Sequence, residues 1–234
     1  MQNKQIKFNH KNIDINYRDD SDLSVIDEIF VDKMYRSVEQ IISNLENPII
    51  DVGAHIGLFS IYASTFNSTI KIIALEPEPT NFALMKENLK LNHCKNVVIK
   101  NVALAGSDEE KASLYLSENN HNHTTLQPNH FTTKPTEQLQ ITATNIKDLI
   151  EKNKLSKIGL LKMDIEGAEF EILKNLKKRE WNKIRNIAVE YHEDAVNKRS
   201  DLENIIRSHG FSVEHYPNHY DKKFGLLVCR NKRK

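Results

Sequence analysis

The sequence predicts an open α/β domain built on a mostly parallel sheet, and three observations lead there. Short β-branched or aliphatic runs recur at residues 49–52, 70–75, 97–104, 159–164, 187–191 and 224–229. Segments with helical spacing lie between several of them. The first strong run, "IIDV", passes directly into "GAHIG", a turn suited to carrying a strand into a helix. Strand, helix and strand in repetition imply parallel pairing with helices on both faces of the sheet.

The elements follow in order. The first 47 residues stand outside the alternation: "IKFNHKNIDINY" reads as two short strands, and residues 24–45 as one or two amphipathic helices. Residues 1–47 are therefore expected to form a cap packed on a core of residues 48–234, with Tyr17, Phe30 and Tyr35 as packing residues. Residues 56–66 supply the first core helix. Residues 80–92, "TNFALMKENLKLN", supply the second, with Phe82, Leu84, Met85, Leu89 and Leu91 as its apolar positions. Residues 168–176 and 201–209 are two more, the last stopping at Gly210. Strands near 211–215 and 224–229, joined by "YPNHYDKK", read as an antiparallel pair that ends the sheet. Residues 117–136, "SENNHNHTTLQPNHFTTKPT", are polar and almost free of aliphatics. A long loop of this kind inside a domain is a binding loop or a disordered one.

Composition narrows the partners. A hydrophobic content of 39% and a charged content of 28% are those of an ordinary globular chain. A formal net charge of +1 argues against a dedicated nucleic-acid surface, and the basic "RNKRK" end reads as a solvated tail. There is no apolar run long enough to cross a bilayer and no N-terminal signal pattern, so a cytoplasmic location without a membrane partner is expected. Cys94 and Cys229 lie far apart without metal-ligand spacing and are expected to be reduced and inert.

Ligands of open α/β sheets bind beyond the carboxyl ends of the strands. Asp51 closes the first strong strand, Gly53 permits the sharp turn, and Gly57 lets the following helix approach closely. A dinucleotide fingerprint would place glycines at 53, 55 and 58, where this chain has Gly53, His55 and Leu58. A pyrophosphate is therefore disfavoured. "IKIIALEPEP" places Glu76 at the end of the second core strand, about 20 residues on, the spacing of an acid that takes ribose hydroxyls. The alternative is that Glu76 and Glu78 are solvated strand-end acids. Residues alone reach a nucleoside cofactor beside an acidic rim.

Four ordered blocks, "DVGAHIGLFS", "ALEPEPTNFALMKENLKLN", "NVALAGSDEEKASLY" and "LLKMDIEGAEFEILKNL", resemble the FkbM-type branch of the class I S-adenosylmethionine-dependent methyltransferases. The likeness runs from about Tyr17 to the C-terminus. It implies a Rossmann-like, seven-stranded, mostly parallel sheet with one antiparallel strand, helices on both faces and a small N-terminal cap. On that resemblance Asp51, Gly53, Ala54, His55 and Gly57 would hold the methionine portion of S-adenosylmethionine. Glu76 with Pro77 would hold the ribose, and Asn101, Val102 and Ala103, ending the third strand, would flank the adenine. His55 departs from the middle glycine of many class I enzymes. The resemblance also places residues 117–136 beside the cleft, making Thr124 and Thr125 candidate contacts, while His121 and His123 read as solvated.

The chemistry is expected at the ends of the next two strands. Lys162 and Asp164 share a face of one, with Asp164 expected both to contact the cofactor and to serve the chemistry. Glu166 follows in "DIEG", and "IAVEYH" brings Glu190 and His192 to the same rim. In one reading His192 or Asp164 is the general base, with the neighbouring acids tuning it. In a second, Asp164, Glu166 and Glu190 hold Mg²⁺, which is possible here but not expected. In the third, Glu169 and Glu171 face solvent and Glu190 makes a structural hydrogen bond. The expected function is O-methylation of a sugar, glycan or small-molecule hydroxyl. N- or C-methylation and a non-catalytic cofactor-binding scaffold are the alternatives, and a homo-oligomer is left open.

Overall fold

The computed structural model describes residues 1–116, 137–193, 197–218 and 221–232. The chain begins with an antiparallel hairpin, β1 (Gln2–Phe8) and β2 (Lys11–Tyr17). Helix α1 (Asp20–Phe30), a 3-10 turn and α2 (Glu39–Ser43) follow. The alternating part runs β3 (Ile49–Val52), α3 (Leu58–Phe66), β4 (Ile72–Leu75), α4 (Pro79–Leu91) and β5 (Val97–Lys100). A side excursion comprises β6 (Ala103–Leu104), β7 (Lys111–Leu116), β8 (Glu137–Thr144) and α5 (Ile146–Lys152). The chain then returns through β9 (Ile158–Met163), α6 (Glu169–Asn175), α7 (Lys178–Trp181), β10 (Ile184–His192), α8 (Arg199–Ser208), β11 (Phe211–Pro217) and β12 (Phe224–Asn231).

The main sheet has seven strands in the order β11-β12-β10-β9-β3-β4-β5. All neighbours pair in parallel except those of β12, which runs antiparallel to both β10 and β11. The strand order reverses between β3 and β9, so a crevice opens beyond their carboxyl ends.

Period-two alternation divides the core between the sheet's faces. Ile49, Ile72, Ala74, Leu160, Ala188 and Val228 pack on one face with α3, α4 and the N-terminal hairpin. Ile50, Ile73, Leu75, Leu161, Val189 and Leu227 pack on the other with α5, α6 and α8. The N-terminal residues belong to the first of these clusters. Phe30 and Tyr35 are buried there, Tyr35 edge-on to Phe59 at 4.8 Å, and Phe8 packs against Tyr62 at 5.0 Å.

The hairpin is docked through its backbone. The outer edge of β2 would carry unpaired N–H and C=O groups. Asn88 on α4 and Asn92, the C-cap of that helix one turn further on, take the place of a neighbouring strand. Asn88 accepts from Asn16 N–H at 2.8 Å and donates to Asn16 C=O at 3.1 Å. Asn92 accepts from Asp14 N–H at 3.0 Å and donates to Asp14 C=O at 2.7 Å.

The structure corrects several expectations. The run 97–104 is two strands in two sheets, because the chain turns at Asn101, a poor strand former. The Asn101 amide instead donates to the carbonyls of Glu76 and Pro77 at 2.8 and 3.0 Å. Leu91 is exposed, and the inward positions of α4 include Asn81 and Asn88. The three-stranded sheet β6-β8-β7 escapes the sequence reading because its apolar side is small, with Leu114, Ile141 and Ala103 as its buried centre. The expectations for His121, His123, Thr124 and Thr125 fall outside the described residues. Among the described residues, no helix is long and apolar enough to cross a membrane.

Candidate active site

A cleft of about 250 Å³ opens at the carboxyl ends of β3, β4, β9 and β10. Its walls include Gly53, His55, Glu76, Pro77, Asp164, Glu166, Glu190 and His192, with Val25 and Glu28 contributed by α1.

One side is built on the turn after β3. Gly53 has φ +73°, and a Cβ there would lie 1.9 Å from the Asp164 carbonyl oxygen. The glycine therefore serves both conformation and clearance. The N–H groups of Gly53 and Ala54 donate to Leu75 C=O at 3.1 and 3.0 Å, closing the turn onto β4. His55 follows at φ +51°, and its N–H donates to Glu76 Oε2 at 2.8 Å. Glu78 N–H donates to Glu76 Oε1 at 2.9 Å. Glu76 and Glu78 are both buried, so neither is a solvated acid: Glu78 is the N-cap of α4 and accepts from Thr80 N–H at 2.9 Å. Burial pushes the Glu76 carboxyl up, against the nearby His55 and these N–H groups.

Asp51 lies behind the turn, fully buried. Its Oδ2 accepts from Ser60 Oγ at 2.7 Å, and its Oδ1 lies 3.4 Å from Lys162 Nζ. Register explains the pair, because Asp51 and Lys162 are partners across β3 and β9. Lys162 Nζ also donates to Gly53 C=O at 2.9 Å and lies 3.8 Å from Asp164 Oδ2. Burial lowers the Lys162 pKa, but Asp51, Asp164 and Glu190 outweigh it and hold the ammonium charged. Lys162 thus ties the turn after β3 to the acidic rim.

The other side is acidic. Glu190 and His192 are alternate residues of β10 and share a face. Asp164 directly follows β9, and Glu166 sits in the next turn at φ +55°, a left-handed conformation unusual for glutamate. Gly167 continues that turn at φ +98°. His192 Nε2 lies 3.4 Å from Glu166 Oε2 and 3.9 Å from Glu190 Oε1. Burial raises the Glu166 carboxyl to about 8, helped by Asp164 and Glu28. Burial and the same neighbours hold Glu190 well above the carboxylate range. Glu169 is fully buried rather than solvent-facing. As the first residue of α6 it folds back to accept from Ile165 N–H at 2.8 Å, and burial takes it to about 7. Glu171 is exposed.

Among the described residues, Asp164, Glu190 and His192 present ligand atoms within 4.8 Å of one another and so could hold a cation; Glu166 contacts His192 instead. Asn101, Val102 and Ala103 lie outside the walls of the cleft, as do Asp51, Ala54 and Gly57. Sequence reasoning missed Glu28, Val25 and Asn81, all on the walls. Asp22, Val25 and Glu28 recur at three-residue spacing in α1, a stripe legible as a helix face but not as a site wall.

A sheet of this strand order, with a glycine turn after its first core strand and a buried acid after its second, defines the class I methyltransferase fold. Residues 51–213 match the Methyltransferase FkbM domain, and the chain belongs to that family. Methyltransferase sdnD of Sordaria araneosa is 30% identical over 214 residues, covering 80% of each chain. The 31-O-demethyl-FK506 methyltransferase FkbM of Streptomyces tacrolimicus is 24% identical over 212 residues, again covering 80% of each. Among solved structures, the METTL16 methyltransferase domain superposes with a TM-score of 0.53 at 12% identity, covering 85% of this chain and 66% of that one.

Proposed function

We propose that this methyltransferase uses S-adenosylmethionine to methylate a hydroxyl of a sugar, glycan or small molecule. One observation carries the reading: Glu76 is a buried carboxylate on the cleft wall whose oxygens are each fixed by a backbone N–H, from His55 and from Glu78. A carboxylate held so is suited to accepting from two vicinal ribose hydroxyls. The residues fit the cofactor. Glu76 would take the ribose, and the turn from Gly53 to His55, backed by Asp51, would take the methionine portion. Gly53 lets that turn pack directly on the Asp164 carbonyl, where a Cβ would clash. The bulk of His55 argues against a pyrophosphate at the same turn.

The bound cofactor supplies a methyl group already activated on a sulfonium. The chain's own residues do the rest. Glu28, Glu190 and Asp164 line the space for the acceptor and accept hydrogen bonds from its hydroxyls. His192 takes the hydroxyl proton at Nε2, with Glu166 and Glu190 beside that nitrogen to orient the ring. Oxygen is favoured over nitrogen because "DIEG" stands where many amide and nucleobase N-methyltransferases carry an Asn/Asp-Pro-Pro-aromatic motif. The relative from Streptomyces tacrolimicus bears a name that denotes an oxygen acceptor.

Calorimetric titration with S-adenosylhomocysteine tests the cofactor. One-to-one micromolar binding is expected, weakened at least tenfold in Glu76→Ala, on the order expected for loss of a charged hydrogen-bond acceptor. Equal affinity in wild type and Glu76→Ala would overturn the assignment of Glu76.

A further inference from the structure

The N-terminal segment reaches Glu76 by two routes, and both start at one buried acid. Asp22, on α1, is fully buried. Its Oδ2 accepts from Arg18 Nε at 2.8 Å and from Arg18 N–H at 2.9 Å, and its Oδ1 accepts from Arg18 Nη2 at 2.8 Å. The same Oδ1 lies 3.1 Å from His55 Nε2. His55 in turn donates its backbone N–H to Glu76 Oε2 at 2.8 Å. By the second route, Arg18 Nη2 donates to Asn81 Oδ1 at 2.7 Å, and Asn81 Nδ2 lies 3.5 Å from Glu76 Oε1. Each oxygen of Glu76 is thus approached by a group that Asp22 or Arg18 holds.

Two physical points make this more than packing. The left-handed region is strained for a residue other than glycine, and His55 adopts it at φ +51°. Something must hold the turn, and the contact from Asp22 to the imidazole does so. A buried ion pair such as Asp22–Arg18 is also weak as a stabilising device, because desolvation offsets most of its attraction. What it imposes here is geometry. Burial alone would raise the Asp22 carboxyl, but the hydrogen bonds from Arg18 and His55 keep it ionised and well below the usual range.

We propose that Asp22 and Arg18 are positioning residues of the cofactor site, holding His55 and Asn81 so that Glu76 meets the ribose in a single orientation. Both lie before the residues 51–213 matched by the family domain, so part of the nucleoside site is supplied by the N-terminal segment. The inference rests on Glu76 as the ribose ligand.

A double-mutant cycle read by S-adenosylhomocysteine calorimetry separates the two claims. Asp22→Asn is expected to weaken binding about tenfold, as loss of one well-placed charged hydrogen bond does. In a Glu76→Gln background the same change should add less than about twofold, because Asp22 acts through Glu76. A purely structural role would weaken both backgrounds equally, and that additivity would overturn the proposal. Should Asp22→Asn fail to fold, His55→Asn replaces it in the cycle: asparagine tolerates the left-handed turn but lacks the imidazole that meets Asp22. The same non-additive loss is expected, and unchanged affinity in His55→Asn overturns the proposal. Failure of the Glu76 reading is seen separately, as Glu76→Gln binding like wild type.

Discussion

At the scale of single residues, the acidic rim is a store of protons. An unfolded glutamate titrates near 4.3, whereas burial and its acidic neighbours hold native Glu166 near 8. Between those values the native state binds more protons than the unfolded chain, so this group favours folding at low pH and the benefit fades as pH rises towards 8. The thermal midpoint of the ligand-free protein should therefore fall between pH 5.5 and 8.5, by roughly 2–4 °C for each kcal/mol lost in a chain of this size. Glu166→Gln should flatten that slope; an unchanged slope would mean that Glu166 is ionised throughout. Of the rim, Asp164, Glu166, Glu190 and His192 were legible because strand ends point at the crevice. Glu28 was not, since nothing local in α1 says which neighbour that helix will meet.

At the scale of elements, the informative departures are polar residues inside helices. In "TNFALMKENLKLN" the apolar spacing predicts a helix, and α4 forms. Its Asn88 and Asn92 would pass for ordinary surface residues, yet they complete the edge of β2. Asn88 is fully buried and also donates to Ile56 C=O at 3.1 Å, which places the start of α3 as well. Asn88→Ala would leave the buried Ile56 carbonyl and the part-buried backbone groups of Asn16 unmatched. We expect it to destabilise the fold by roughly 2–4 kcal/mol in urea unfolding. A loss below about 0.5 kcal/mol, the usual surface effect, would mean that water replaces the amide. The misread run 97–104 belongs here too: β-branched residues on both sides of Asn101 look like one strand, and only the amide's bonds to the Glu76 and Pro77 carbonyls reveal the turn.

At the scale of the molecule, residues 1–47 and the sheet share one apolar cluster. Phe8, Ile13, Ile15 and Ile26 pack together with Ile49, Phe59 and Tyr62. We propose that residues 1–47 fold with residues 48–234 as a single cooperative unit. Trp181, the only tryptophan, sits in the cluster on the opposite face of the sheet. Thermal unfolding followed by its fluorescence should coincide with unfolding followed by far-ultraviolet dichroism. An earlier dichroism step, with the fluorescence still native, would show that the N-terminal segment melts by itself.

The sequence by itself determined the alternation, the turn after Asp51, the acid at Glu76 and the acidic ends of β9 and β10. All of these rest on local rules: periodicity, turn chemistry and the fixed spacing of a strand, a turn and a helix. The tertiary structure alone decided that Lys162 sits on Asp51, that Asn88 mends the edge of β2, and that Asp22 and Glu28 belong to the cleft. The contacts of Asp22 with His55, Asn88 with Asn16 and Lys162 with Asp51 join residues 33, 72 and 111 positions apart in sequence, and such pairings are set by register and by which faces must be buried together. No local pattern encodes them, because each depends on a neighbour that only the folded chain supplies.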